Sequence, residues 1–556
     1  MAKFITQETF DEVVKENIED FGMDKEAAAA DAIAQFKSQG ADLTMVDTSA
    51  DGVRRDAKAV INGYLETLRS FDTAPEGDAR IECIDAMAAV GEVCREEGPA
   101  GEANRMAVGE AGGVGVLARF LSGDTEDTSP GGVVRGALSA LYDTCRNQER
   151  NRDAFIYSNM AQLNALLLRW TSSDSNGQGP GSTCSGHGGQ EDQGDQEGQE
   201  ESKGETRDCA EDGAALVAAG LRLVRAVCTK AENNKGSFMR HKGAAVLLQA
   251  LERFGSGDHK DASVTKEACG ALRSVTLGDD RRKDFSGGTY DNVKALVCAG
   301  AVSLLLDAAK AFQDDSGTVS WVYLALKQLA ANDDSVKLIV EKGGLELVSG
   351  AIVNFPLDPI VCRAALALFR NISANDVLKT RLLNEGGLRL VLGCMAGHKD
   401  DKALQEHGCA TMAAMALRSP ANGARIVSEG GIRTMVEAMR RHATVQGLQR
   451  QACLCIRNIA ARGPSLRQAM LDEGCETALR EAGKLRGCVD EAYGALRDLQ
   501  CDVGLVSLGE GGEVQVGVKA FGEQKANFNP SLLETNDLSD RIEGSATAPK
   551  HAGYMM

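Results

Sequence analysis

The sequence predicts an all-α protein, a right-handed α-solenoid preceded by an N-terminal helical hairpin, and three observations carry that prediction. The composition is poor in aromatics, at 4%, and holds only 10 prolines in 556 residues beside 62 glycines. This suits many short, closely packed helices better than a β-rich fold. A glycine-centred motif recurs about every 43 residues. After each motif comes a longer apolar helix carrying a basic residue near its end, so every unit has an apolar face that only a neighbouring unit can cover.

Four segments make the period plain: SVKLIVEKGGLELV (335–348), KTRLLNEGGLRLVL (379–392), GARIVSEGGIRTMV (423–436) and LRQAMLDEGCETAL (466–479). Their first glycines, Gly343, Gly386, Gly430 and Gly474, are 43, 44 and 44 residues apart. Upstream, Gly300 keeps the spacing, and Gly243 precedes it by 57 residues, with RRKDFSGGTYDN as extra loop. Gly112 marks the first units, and Asn159 takes the glycine place 47 residues later. Glycine at this point permits a tight turn between helices. Each of about eight units then consists of a short helix before the glycine, a second after it, and a longer third of the type LQRQACLCIRNIA.

The remaining chain divides around this array. Residues 1–40 read as a helical hairpin, with Phe10, Val13, Val14, Ile18 and Phe21 at helical spacing, Asp24 placed to cap the second helix, and Ile33 and Phe36 continuing the apolar face. Residues 41–60 read as a linker and 61–170 as the first repeats. From Thr171 to Ala215 there is no Val, Ile, Leu, Met, Phe, Trp or Tyr, so this acidic, Gly-rich insertion is expected to be disordered. Repeats resume over 216–504, and 505–556 read as a mostly disordered tail in which PSLLETNDL has the character of a linear binding motif.

Aligned on their basic residue, the third helices give Arg146, Arg225, Arg273, Lys327, Arg370, Ala413, Arg457 and Arg497. One helical turn earlier stand Tyr142, Leu221, Cys269, Tyr323, Leu366, Cys409, Cys453 and Tyr493, a column whose chemistry is that of a core. Cys453 in QACLCIRNIA is thus read as packing. Cys455, two residues on, points about 200° away around a helix, so a shared metal ion is geometrically awkward, and no C-x-x-C or histidine cluster occurs. The position after the basic column holds Asn147, Asn371 and Asn458 but otherwise varies. The basic column itself suits an extended acidic or phosphorylated protein segment, because guanidinium groups bind carboxylate or phosphate bidentately. The competing reading is that each arginine packs on its helix and pairs with an acid such as Asp498 beside Arg497 or Asp333 near Lys327.

The period of roughly 42 residues with E-G-G between helices and L-R-N late in the third resembles the armadillo repeat. More narrowly, the opening ITQETFDEVVKENIEDFGMDKEAAAADAIAQFKSQGADL, with KEACGALRSVTLGDDRR, RQACLCIRNIAARG and GALRDLQC, resembles the armadillo repeat-containing protein 6 family over most of the chain outside 171–215 and the tail. That resemblance implies a scaffold or adaptor. Relatives carry a His-x-His stretch after D-D-R; here the loop reads KDFSGGTYDN, so nothing resting on those histidines carries over. In peptide-binding armadillo proteins a Trp precedes the groove Asn by four residues, but Ala367 precedes Asn371 and Leu454 precedes Asn458. Recognition of basic import signals, the transport-receptor alternative, is therefore not expected.

The net charge of −19 opposes binding to phosphate backbones, and nucleic acid is not expected as a partner. No apolar run reaches the roughly 20 residues of a membrane span, and the acidic start lacks the apolar core of a signal peptide, so a cytoplasmic chain, open also to the nucleus, is expected. The 16 cysteines are scattered singly, as reduced thiols would be. No catalytic set, metal site or cofactor loop stands out from the background, and the enzyme alternative is set aside for a protein-binding scaffold.

Overall fold

The structure is a computed structural model that describes residues 3–4, 7–21, 23–38, 41–42, 57–73, 75–122, 132–155, 157–172, 198–280, 287–503, 506–508 and 514–516. The chain forms two compact units, Met1–Gln249 with Gly278–Thr289, and Ala250–Leu277 with Tyr290–Met556.

In the N-terminal unit the helices are α1 (Gln7–Phe21), α2 (Lys25–Ser38), α3 (Ala57–Ser70), α4 (Gly77–Arg95), α5 (Gly98–Glu110), α6 (Gly113–Ala118), α7 (Val133–Cys145), α8 (Glu149–Ala154), α9 (Tyr157–Thr171), α10 (Gly198–Cys228) and α11 (Glu232–Arg240). Helices α12 (Gly243–Phe254) and α14 (Gly287–Cys298) cross the boundary positions, and α13 (Ala262–Thr276) lies in the C-terminal unit. That unit continues with α15 (Ala301–Ala311), α16 (Ser316–Leu329), α17 (Asp333–Glu341), α18 (Gly344–Asn354), α19 (Pro359–Ile372), α20 (Asp376–Asn384) and α21 (Gly387–Gly397). It closes with α22 (Lys402–Ala416), α23 (Pro420–Ser428), α24 (Gly431–Arg441), α25 (Gln446–Ala460), α26 (Arg467–Asp472), α27 (Cys475–Ala482) and α28 (Val489–Asp498).

Each repeat is built from side-chain chemistry at its helix ends. The third helices α13, α16, α19 and α22 are capped by Asp261, Asp315, Asp358 and Asp401, whose carboxylates accept backbone N–H bonds of the first turn. At their C-termini, the last-turn carbonyls would be orphaned. An Asn from the following helix supplies the donor: Asn292 Nδ2 to Val275 O at 2.9 Å and Asn422 Nδ2 to Met415 O at 3.1 Å. Third helices pack on one another in succession, α13 on α16, α16 on α19, α19 on α22, α22 on α25 and α25 on α28. In α19 this buries Val361, Cys362, Ala364, Ala365, Leu366, Leu368, Phe369 and Ile372 and leaves one stripe uncovered.

The paired glycines of the motif have separate causes. Gly300, Gly343, Gly386, Gly430 and Gly474 stand at φ between 85° and 95°, where a side chain is strained. The next residue opens the second helix, and a Cβ built on Gly344, Gly387 or Gly431 would lie 2.6, 2.3 or 2.7 Å from Ile339, Leu382 or Ile426, five residues back. This distinction corrects the register at Gly243. There Lys242 takes the left-handed place, at φ 66°, and Gly243 is the second glycine, where a built Cβ would lie 2.4 Å from Phe238. Asn159 is likewise not at a turn: it lies inside α9, and the helix break falls after Phe155.

The N-terminal hairpin has its own small core, Phe10 against Phe36 with ring centroids 6.1 Å apart over Ala32, with Val13, Val14 and Ile33 packed beside them. Asp24 Oδ1 accepts from Ala27 N at 2.8 Å, which is the cap anticipated from sequence. Four short strands add to the helices: β1 (Lys3–Phe4) runs parallel to β2 (Ala41–Asp42), and β3 (Val506–Leu508) pairs antiparallel with β4 (Val514–Val516). β1 lies at the start of the hairpin segment, β2 in the expected linker, and β3 and β4 in the tail expected to be mostly disordered. Within the expected insertion 171–215, α10 begins at Gly198, where Glu, Gln, Lys and Ala with no proline favour a helix even without apolar residues. The rest of that insertion, 173–197, and the tail segment PSLLETNDL lie outside the described residues.

Replacing Gly386 by Ala should cost about 1–2 kcal/mol through its left-handed backbone, and replacing Gly387 by Ala about 1–3 kcal/mol through overpacking on Leu382. In urea unfolding both midpoints should fall, and in a Leu382→Ala background the added cost of the second substitution should shrink but not vanish, since the Leu382 backbone oxygen stays 2.7 Å from the built Cβ, while that of the first is unchanged.

Candidate partner-binding surface

The asparagines that close the third helices also fix which residues are equivalent. Asn151 bonds Thr144 O and Asn234 bonds Val227 O, both at 2.9 Å, as Asn292 and Asn422 bond Val275 and Met415. Counting back two residues aligns Tyr142, Arg225, Arg273 and Ala413. Arg146 therefore falls one turn beyond the basic column that the sequence suggested, and Tyr142 occupies its place. The dipeptide Arg146-Asn147 imitates Arg370-Asn371 and Arg457-Asn458, but α7 ends at Cys145 and Asn147 takes φ 55° to terminate it. In the N-terminal unit, Arg146 donates to Arg95 O at 2.6 Å and lies 3.9 Å from Asp143, a buried carboxylate that also receives Arg95 at 2.8 Å. Arg225 is half-buried in α10.

The other predicted residues belong to the C-terminal unit, and they behave in three ways. Asn371 and Asn458 are structural: Asn371 Nδ2 donates to Lys327 O and Ala330 O, each at 3.1 Å, and Asn458 Nδ2 to Ala413 O at 3.1 Å. They tie each third helix to the one before. Arg457 and Arg497 share one carboxylate, Asp498, at 3.5 and 2.8 Å. The pairing proposed for Lys327 with Asp333 is absent, because Asp333 binds Lys337 at 2.7 Å.

Between these ends lies an unneutralised centre. Among the described residues Lys327 on α16 and Arg370 on α19, both half-buried, form no ion pair. Burial, with Arg273 and Arg370 nearby, holds the Lys327 ammonium below the ordinary lysine range. Arg273 stacks over Trp321, its guanidinium carbon 5.3 Å from the ring centroid. His407 on α22, where Ala413 interrupts the basic column, joins the same cluster. Its pKa is lowered by burial and then by Arg370, Lys327 and Arg363, against a smaller opposing effect of Asp401. Sequence reasoning passed over His407, Trp321 and Arg363 because none occupies the aligned column; each lies one or two turns toward the helix N-terminus, on the same outward stripe.

Cys453 and Cys455 are both fully buried, and burial drives both thiols far above their ordinary range. No group of three or more His, Cys, Asp or Glu able to hold a metal occurs among the described residues. Nor is any single described helix long and apolar enough to cross a membrane.

The stacked three-helix units define an armadillo-repeat α-solenoid, a class whose general use is protein binding. A solved engineered protein shares this fold at TM-score 0.56 and 20% identity, over 79% of this chain and 88% of that one. The family model ARMC6 matches residues 206–515, and that of the Armadillo repeat-containing protein 6 N-terminal domain matches residues 2–60. The chain belongs to the armadillo repeat-containing protein 6 family. Armadillo repeat-containing protein 6 of Homo sapiens and of Pongo abelii are each 27% identical over 336 residues, 60% of this chain and 56% of theirs. The match thus spans little more than half the length of these relatives.

With thiol-reactive maleimide at pH 8, exposed Cys298 should label within minutes, and Cys453 and Cys455 only after denaturation. Peptide mass spectrometry reads the order; early labelling of either buried thiol would contradict the packing assigned to them.

Proposed function

We propose that the chain is a non-catalytic scaffold whose C-terminal unit binds an extended acidic or phosphorylated protein segment along the outward stripe of its third helices, centred on Lys327 and Arg370. The observation that carries this reading is that, among the described residues, these two adjacent, half-buried cations have no ion-pair partner, while Arg457 and Arg497 on the same face are paired through Asp498. Cations withdrawn from water beside one another cost free energy that only an anion could return. A carboxylate or phosphate laid between α16 and α19 would accept from Lys327 and Arg370, with His407 beyond them. A basic import signal would meet like charge there.

The test is fluorescence anisotropy with labelled 15-residue peptides, one glutamate-rich and one carrying phosphoserine. Both should bind wild type with affinity that falls as salt rises, should lose at least about tenfold in Lys327→Glu/Arg370→Glu, and should change little in Arg497→Glu. Equal binding by the double variant would remove the groove from the account.

His407 also makes the site pH-dependent. Its pKa lies below the ordinary histidine range in the free chain, and a bound anion would raise it, so binding takes up a proton and affinity should increase as pH falls. His407→Gln should flatten that dependence. A pH slope unchanged by the substitution would assign the titration to the peptide.

A further inference from the structure

The stripe that carries the cationic centre begins in an apolar patch. At the junction of α18 and α19, Val353, Leu357 and Ile360 are 65%, 80% and 52% exposed, three large apolar side chains within eight residues of chain. Ile360 lies on the same face of α19 as Arg363, Ala367 and Arg370, at helical spacing. Ten residues along the helix separate Ile360 from Arg370, about 15 Å. An extended segment covers that distance in four to five residues. The surface therefore fits a strand-like peptide with an apolar side chain four or five residues from an acidic one.

We infer that the occupant is a segment of this same chain, residues 531–540, SLLETNDLSD; the inference rests on the groove reading above. Leu532 and Leu533 precede Asp537 by five and four residues. The segment also carries Glu534 and Asp540 and no basic residue, so its charge complements Lys327 and Arg370. The tether is long enough. Leaving out the β3–β4 hairpin, the chain from Asp498, the end of α28, to Leu532 can reach at most about 75 Å. Three steps between packed third helices, α28 to α25 to α22 to α19, amount to about 24–30 Å. Tethered at that reach, the segment acts at an effective concentration on the order of millimolar. It covers the apolar patch and neutralises the centre until a competing acidic segment of another protein displaces it.

The experiment compares full chains for binding of a fluorescein-labelled peptide of residues 529–541, read by anisotropy, after circular dichroism and melting establish equal folding. The chain bearing Leu532→Ala/Leu533→Ala/Asp537→Ala should bind the peptide at least about tenfold more tightly than wild type. Adding Lys327→Glu/Arg370→Glu to that chain, or the purely surface change Ile360→Asp, should reverse the gain. Equal affinity for wild type and the tail variant overturns self-occupation, and so does a gain that survives both groove substitutions. If the tail variant binds the phosphoserine peptide at Lys327 and Arg370 but ignores 529–541, the groove stands and its assigned occupant falls. Should no chain bind either peptide, the groove reading falls with it.

Discussion

Each third helix of the C-terminal unit is pressed between the third helix before it and the one after, and most of the architecture follows from that confinement. An armadillo-type unit cannot bury its own apolar face, so a helix such as α19 places aliphatic side chains on nearly every side and leaves a single narrow stripe in contact with water. The caps are consequences of the same packing. Helix ends brought into a close stack cannot rely on solvent for their orphaned N–H and C=O groups, and Asp358, Asp401, Asn371 and Asn422 supply the partners from fixed places in the repeat.

The stripe inherits a constraint from this arrangement. Its residues are held about one helix diameter from their counterparts in adjacent repeats, so like charges in one column repel unless an acid stands between them. Asp498 does this for Arg457 and Arg497; in the N-terminal unit Asp143 likewise stands between Arg95 and Arg146, which lie outside the column. At Lys327 and Arg370 the repeat has Gln328 and Asn371 in the place of that acid, and Asn371 is committed to the backbone of α16. The same fold thus yields a neutralised end and a charged centre, and the difference is one side chain per repeat.

Much of this was legible in the sequence. The three-helix unit, the glycine turn and the buried character of Cys269, Cys409 and Cys453 follow from the period alone, since a core column tolerates Leu, Tyr and Cys alike. Register was harder. A left-handed turn can carry Lys242 in place of glycine at some cost, and Arg146-Asn147 resembles the groove dipeptide while ending a helix. The stripe was legible as a basic column, but its division into paired and unpaired cations was not, because pairing depends on which face Asp498 and Asp333 take, and both lie within reach on paper. His407 escaped notice for a related reason: it serves the cluster from one and a half turns away, in the repeat where Ala413 leaves the column empty.

The central claim is that Lys327 is a cation with no ion-pair partner among the described residues of its unit. Urea unfolding of Lys327→Met beside Arg457→Met, both in the chain bearing Leu532→Ala/Leu533→Ala/Asp537→Ala so that the tail segment does not enter the comparison, tests it most directly, because methionine preserves the apolar stem and removes only the charge. The account predicts that Lys327→Met raises the unfolding midpoint, by relieving desolvation and repulsion from Arg273 and Arg370, while Arg457→Met lowers it by releasing Asp498. A Lys327→Met midpoint that falls as far as that of Arg457→Met would mean the ammonium is already satisfied within the fold, and the charged centre would lose its claim to a ligand.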